Sequence, residues 1–363
     1  DQHAFAVPSY PYNLPLEETT LGEVLGGAGY TTGYFGKWHV SHIHFDGKKQ
    51  LNFESNEPFW EDKAGWPLQR GFDEFFGTIH GVNSYYDPFS LVRNNTPTKP
   101  ETTDFYYTDA ISEQAATYIA QNANSNRPFF LYVAYTAPHW PLQAPEADIA
   151  KYRPIYMQGW DVIRSNRFRR QLELGIVDKN WQLSPRDPRV PAWSEARDKA
   201  WEANRMATYA AMVERMDRGV GRILDSLKVK GIEQNTLVIF FSDNGACAEI
   251  LDPAWYDIPA RTRDGRPIRT GNNNHSVFCG ADDVWQSYGI PWANVSDTPF
   301  LSYKHFTHEG GIATPFVASW PKVIGTNGNL NRQIAHVTDI MPTCIELAGA
   351  HRKDSVQGQK TSP

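Results

Sequence analysis

Two apolar runs constrain most of what this chain can become: Phe129-Phe130-Leu131-Tyr132-Val133-Ala134-Tyr135 and Thr236-Leu237-Val238-Ile239-Phe240-Phe241. Runs this short and this continuous read as strands covered on both faces, since a half-buried strand alternates and a helix needs ten or more residues. Around them the apolar spacing turns helical. Leu21, Val24 and Leu25 fit a helix within Leu16 to Ala28, closed by Gly26, Gly27 and Gly29. A second helix is expected from about Tyr107 to Asn122. A long amphipathic one is expected from Ala203 to Leu227, where Met206, Tyr209, Met212, Val213, Met216, Val220, Ile223 and Leu224 keep the helical period. Thr31 to Phe35 and Thr314 to Ser319 read as further strands, and Val337 to Ala348 as a further helix. This alternation predicts an α/β fold with a largely parallel central sheet flanked by helices. In such sheets, sites form at the carboxyl ends of strands.

At 363 residues the chain exceeds the ~250 to 300 residues that one core usually serves. The expected organisation is one large domain over residues 1–350, with a polar, Arg-rich surface insertion at about 151–200. Residues 351–363 then begin a C-terminal subdomain or tail. A net charge of -6 excludes the basic face of a nucleic-acid binder. No apolar run reaches the ~20 residues of a membrane span. Cys247, Cys279 and Cys344 are too scattered for a disulfide framework or a CxxC metal site. The sequence opens at Asp1 with neither Met nor a leader pattern, so the native start is expected to lie elsewhere.

Chemistry-bearing residues follow the strands. Gly29-Tyr30-Thr31-Thr32-Gly33-Tyr34-Phe35-Gly36-Lys37-Trp38-His39 sets a cation and an imidazole two residues apart, on one face by strand alternation. Alone, such a pair reads as solvated surface. Ala137-Pro138-His139-Trp140-Pro141 holds His139 on a rigid extended loop, where a histidine is more often structural than catalytic. Ser242-Asp243-Asn244-Gly245 places a carboxylate and an amide oxygen side by side, hard ligands suited to Ca²⁺ or Mg²⁺. Asp-Asn-Gly is also a common turn, but here it ends an apolar strand. Tyr303-Lys304 precedes Glu309-Gly310-Gly311-Ile312-Ala313-Thr314-Pro315.

Taken in order, these four stretches resemble the type I, formylglycine-dependent sulfatases, most closely the bacterial arylsulfatases. The resemblance runs from Gly29 to Pro315, with Trp285-Gln286-Ser287-Tyr288-Gly289 and Thr298-Pro299-Phe300 adding to it. It implies an alkaline-phosphatase-like fold and hydrolysis of sulfate esters at a site with one Ca²⁺, Mg²⁺ being the lesser alternative. Lys37, His39, His139 and Lys304 would be catalytic, and Asp243 and Asn244 metal ligands. Lys37 and Lys304 would carry charge to the sulfate, His139 a proton to the leaving oxygen, and His39 would act as base. Trp38, His80, Asn83, Tyr85, Tyr86 and Trp140, which flank or cluster near the motifs, are expected to rim a pocket for a sulfated small molecule or carbohydrate. The family also implies a periplasmic or secreted protein.

The sequence departs from the family in two respects. Its paired aspartates after the first strand and its C/S-x-P-x-R nucleophile motif should precede Lys37, and neither is present. Ala6-Val7-Pro8-Ser9-Tyr10 lacks the nucleophile and the Arg. Asp282-Asp283 follows no apolar strand. The expectation is a fragment truncated at both ends, unable by itself to turn over sulfate esters. Alternatives are a related phosphatase or phosphonate monoester hydrolase, or a non-catalytic relative binding anions or sugars. His39, His42, His44 and Asp46 could also be read as a zinc site.

Overall fold

The structure, a computed structural model, describes residues 14–41, 63–252, 259–325 and 328–352, and the backbone of 355–356 and 359–360. Helix α1 (Leu21–Gly27) begins at a capping box: Thr20 Oγ1 accepts the Glu23 N–H at 3.1 Å, and the Glu23 carboxylate accepts the Thr20 N–H at 2.8 Å. It leads into β1 (Thr31–Lys37), an inner strand of a five-stranded sheet. β2 (Glu74–Thr78) lies parallel on one side of β1, and the edge hairpin β3 (Leu91–Arg93) and β4 (Thr96–Pro97) follows antiparallel beyond it. After α2 (Tyr107–Asn122), β5 (Phe129–Ala134) lies parallel on the other side of β1. The sheet is therefore mixed, with its parallel strands β2, β1 and β5 on one side, β5 at the edge, and the antiparallel hairpin on the other.

Helices α3 (Glu146–Tyr156) and α4 (Trp160–Glu173) and a 3-10 turn at Trp193–Glu195 occupy the polar middle segment. Helix α5 (Lys199–Val229) follows as one uninterrupted element. β6 (Val238–Phe241) comes next, then the two-residue strands β7 (Arg269–Thr270) and β8 (Val284–Trp285), and α6 (Gly289–Ser296). The chain continues through α7 (Glu309–Ile312), β9 (Phe316–Ser319), α8 (Pro321–Ile324) and α9 (Ile340–Ala348).

The main core lies where α2 and α5 pack over the sheet, with Phe35, Ile111, Tyr118, Met206, Met212 and Trp292 among its buried residues. Two expectations need correcting. The run at Phe129 forms β5, but as the sheet's edge strand rather than one covered on both faces: none of its residues is buried and Tyr132 is exposed. The two later strands do not join the central sheet as buried members: β6 pairs antiparallel with β9, apart from it. All four residues of β9 are exposed, Phe316 at 51% and Val317 at 57%. Apolar composition made these strands legible, but burial depends on what covers them, which no local pattern states.

Two glycines set the strand spacing just before the site. Gly36 (φ +125°) faces Gly77 on β2 and Ala134 on β5. A Cβ on Gly36 would stand 2.0 Å from the Ala134 carbonyl oxygen, and one on Gly77 would stand 1.8 Å from the Gly36 oxygen. Only glycine fits at either position.

Candidate active site

Lys37 ends β1, and the backbone past it stays paired with β2: the Trp38 N–H donates to Thr78 O at 2.8 Å and the His39 N–H to Ile79 O at 3.0 Å. His39 takes a left-handed conformation (φ 58°), uncommon for a residue with a side chain. Past β5, the His139 N–H donates to Thr136 O at 2.9 Å, while Tyr85 Oη donates to His139 O at 2.9 Å. Past β6, the Gly245 N–H donates to Gly311 O at 3.1 Å, and a Cβ on Gly245 would lie 1.7 Å from Gly310 O. The Lys304 N–H donates to Ala246 O at 3.0 Å. The coil after β6 and the coil before α7 thus run against each other, which carries Lys304 to the strand ends.

Lys37, Trp38, His39, His139, Trp140, Asp243, Asn244 and Lys304 all line one open cavity of about 1660 Å³. Their charges interact across it. Burial lowers the Lys37 pKa, Asp243 opposes this, and Lys304 adds to it. Burial, then Lys37, lowers His139 to about 3 and His39 to about 2. Both imidazoles are therefore neutral near pH 7. His139 Nδ1 lies 2.7 Å from Trp140 O, which fixes the neutral ring as the Nδ1–H tautomer with Nε2 bare. A bound anion would favour the imidazolium and so load Nε2 with a proton. With both imidazoles neutral, Lys37 and Lys304 share the cavity wall with Asp243, and Glu249 stands beside Lys304.

Asp243 is exposed at the strand end, and no hydrogen bond or ion pair reaches its carboxylate among the described residues. Asn244 Nδ2 donates to Gly245 O at 2.8 Å, which leaves Oδ1 for a ligand. The chemistry of this pair fits a hard cation. Among the described residues, no group of three His, Cys, Asp or Glu forms a metal cluster. Cys247 also lines the cavity, but burial, then Glu249, pushes its thiol up to about 12, so it is no activated nucleophile.

The expected rim residues divide. Trp38 and Trp140 reach the cavity lining, though each is more than nine-tenths buried. His80 stands behind His39, ring centroids 6.2 Å apart. Asn83 and Tyr85 do not rim the cavity. Asn83 is buried and bonded to His80 O and Ser90, and Tyr85 is fully buried beneath the His139 loop. Tyr86 packs on Tyr106 in the core, again outside the cavity lining. Their clustering in sequence reflected core packing of aromatics rather than a binding surface. Asp282 and Asp283 are bound to Arg266 and Arg269. Residues 6–10 and His42, His44 and Asp46 lie outside the described residues. Sequence reasoning missed three further groups at the site: Glu249, His305 and Asp297. Asp297 Oδ1 accepts the Ala246 N–H at 2.7 Å, and its pKa is raised to about 7 by burial.

The neutral histidines carry a prediction. An imidazole whose pKa falls on folding is protonated first in the unfolded chain. Its contribution to stability is full above about pH 6.5 and is lost as pH falls toward 3. Asp297 works in the opposite sense over part of that range, so the comparison must be between variants. Urea unfolding at pH 7.5 and pH 5 should show wild type losing more stability on acidification than His139→Gln; equal losses would place His139 in solvent.

The matching family model is Sulfatase, over residues 1–350. The chain belongs to the sulfatase family. An uncharacterized sulfatase of Schizosaccharomyces pombe is 32% identical over 365 residues, covering 94% of this chain and 60% of that protein. The arylsulfatase of Klebsiella aerogenes is 29% identical over 379 residues, covering 98% of this chain and 73% of the enzyme. Ps i-CgsB, solved in complex with k-i-k-neocarrahexaose, superposes with a TM-score of 0.59 at 24% identity, covering 96% of this chain and 58% of that one. That likeness establishes the fold as the alkaline-phosphatase-like α/β architecture of sulfatases. The sulfatase chain thus spans about three-fifths to three-quarters of the length of these relatives. The family binds a divalent metal. Among the described residues no helix is long and apolar enough to cross a membrane.

Proposed function

We propose that this chain carries the anion-binding and acid–base part of a sulfate ester hydrolase. The observation that carries the reading is the meeting of Lys37, Lys304, His39, His139 and an exposed Asp243 around one cavity in a chain of the sulfatase family. A sulfate ester spreads negative charge over several oxygens. Its cleavage needs fixed cations around them and a proton for the departing oxygen. Lys37 and Lys304 hold the sulfate, His139 protonates the leaving group once the anion has raised its pKa, and His39 serves as base. Asp243 and Asn244 hold one Ca²⁺, which when bound supplies electrostatic clamping of the sulfate. They provide only part of the ~6 to 8 oxygens that this ion takes. The nucleophile would be a hydrated formylglycine by family resemblance, and the C/S-x-P-x-R motif that would supply it does not occur in these 363 residues.

The substrate class is a sulfated small molecule or carbohydrate, in keeping with the arylsulfatase among the relatives and the carbohydrate bound to Ps i-CgsB. The test is hydrolysis by the whole protein of paired aryl and sugar esters of sulfate and of phosphate. Sulfate esters should be cleaved at least about a hundredfold faster than their phosphate counterparts. Activity confined to phosphate esters would defeat the proposal.

A further inference from the structure

The coil leaving β6 carries a carboxylate that no motif announces. Glu249 is 12% exposed at its side chain and binds three residues from two other segments. Oε2 accepts the Trp140 indole N–H at 2.5 Å, and Oε1 lies 3.2 Å from Lys304 Nζ and 2.9 Å from His305 Nε2. Trp140 belongs to the loop after β5, and Lys304 and His305 to the coil before α7. The backbone is fixed as well, since Ser287 Oγ donates to the Glu249 carbonyl. A buried carboxylate persists only where it is paired and hydrogen-bonded, and here its partners come from the site itself.

We propose that Glu249 is a positioning residue, whose carboxylate fixes the Lys304 ammonium at the wall of the anion site, in register with Trp140 and beside His139. The proposal rests on the sulfate-site reading above. A lysine ammonium has three donors on a flexible stem. Committing one of them to Glu249 holds the stem and leaves two for a sulfate oxygen. The groups facing Lys304 are Cys247, Glu249 and Asp243, with Lys37 across the cavity. Burial works to discharge Lys304, and Cys247, Glu249 and Asp243 outweigh it, so its pKa is raised. Burial also works against the Glu249 charge, yet Lys304, His139, His305 and Trp140 hold that carboxyl well below the usual range. Lys37 has no hydrogen bond to Glu249; burial lowers its pKa and Lys304 adds to this, while Asp243 and then Glu249 oppose it. Glu249 therefore lets two neighbouring lysines stay charged together.

Two variants of the full chain separate position from charge. Glu249→Gln keeps the volume and an oxygen for Trp140, and Glu249→Asp keeps the charge but withdraws it by one methylene. In an NMR titration, Lys304 of Glu249→Gln should deprotonate about one pH unit lower than in wild type, while Lys304 of Glu249→Asp stays close to wild type. Calorimetric titration with sodium sulfate at pH 8 should show affinity reduced about tenfold in Glu249→Gln and several-fold in Glu249→Asp. An unmoved Lys304 titration in Glu249→Gln overturns the proposal. So does an affinity for sulfate that rises in that variant, which would mean the carboxylate merely repels the anion. Should Glu249→Gln not fold, undiminished affinity in Glu249→Asp overturns it equally. A wild-type chain that binds no sulfate, yet shows the Lys304 shift, counts against the sulfate-site reading and supports the positioning role.

Discussion

Replacing Lys304 or Lys37 by alanine is expected to lower kcat/KM for a sulfate ester by about 10² to 10³ in the whole protein, with folding intact. Both side chains end at the cavity and neither anchors the core. Each removes a fixed cation from the site, so the loss falls on the step in which charge develops on sulfur's oxygens. The two variants should differ in their dependence on pH. Lys37, its pKa lowered by burial, is expected to limit activity on the alkaline side of wild type. That alkaline limit should therefore persist in Lys304→Ala and move to higher pH, since removing Lys304 lifts one source of the depression. Steady-state rates from pH 7 to 10 check both statements, and an alkaline limit that moves down in Lys304→Ala would refute the charge coupling.

The second large effect is structural. Gly36→Ala is expected to destabilise the chain by about 3 to 5 kcal/mol, enough to leave much of it unfolded at ordinary temperature. The added Cβ would stand 2.0 Å from the Ala134 carbonyl oxygen, at a backbone conformation (φ +125°) that side chains avoid. Relief requires β1 and β5 to separate at the residue before Lys37, so any folded remainder should have lost its anion site. Gly27→Ala is the control: nothing lies within 4 Å of a Cβ there. Circular dichroism melts of the two variants read the difference directly, and equal midpoints would show the strand spacing to be adaptable.

Much of this was legible from spacing and composition. The helix read at Tyr107 to Asn122 is α2 residue for residue, and the long period from Ala203 to Leu227 lies within α5. Helices and short apolar strands announce themselves locally because their periodicity is a property of the segment alone. What was not legible depends on partners. β2 was unread because Glu74–Thr78 is short and opens with a charge, and it becomes a strand by lying against β1. The antiparallel pairing of β6 with β9 is a choice between strands, invisible in either. The site divides in the same way. Lys37, His139, Asp243 and Lys304 each sit beside a recognisable motif. Glu249 sits in none, and its importance arises only where Trp140, Lys304 and His305 close around it. Tyr85 shows the converse: its neighbourhood in sequence resembled a pocket rim, and the fold uses it to hold the His139 backbone from below.

The account turns on four separate motifs forming one site for a sulfate group. Selenate is a close isostere of sulfate, and its selenium can be located by anomalous diffraction from crystals soaked in it. The expected result is a peak about 4 Å from both Lys37 Nζ and Lys304 Nζ, the distance a hydrogen-bonded oxygen imposes, and its loss in the Lys37→Ala, Lys304→Ala double variant. Selenate bound only at surface arginines such as Arg169 and Arg170, with none between the two lysines, would contradict it.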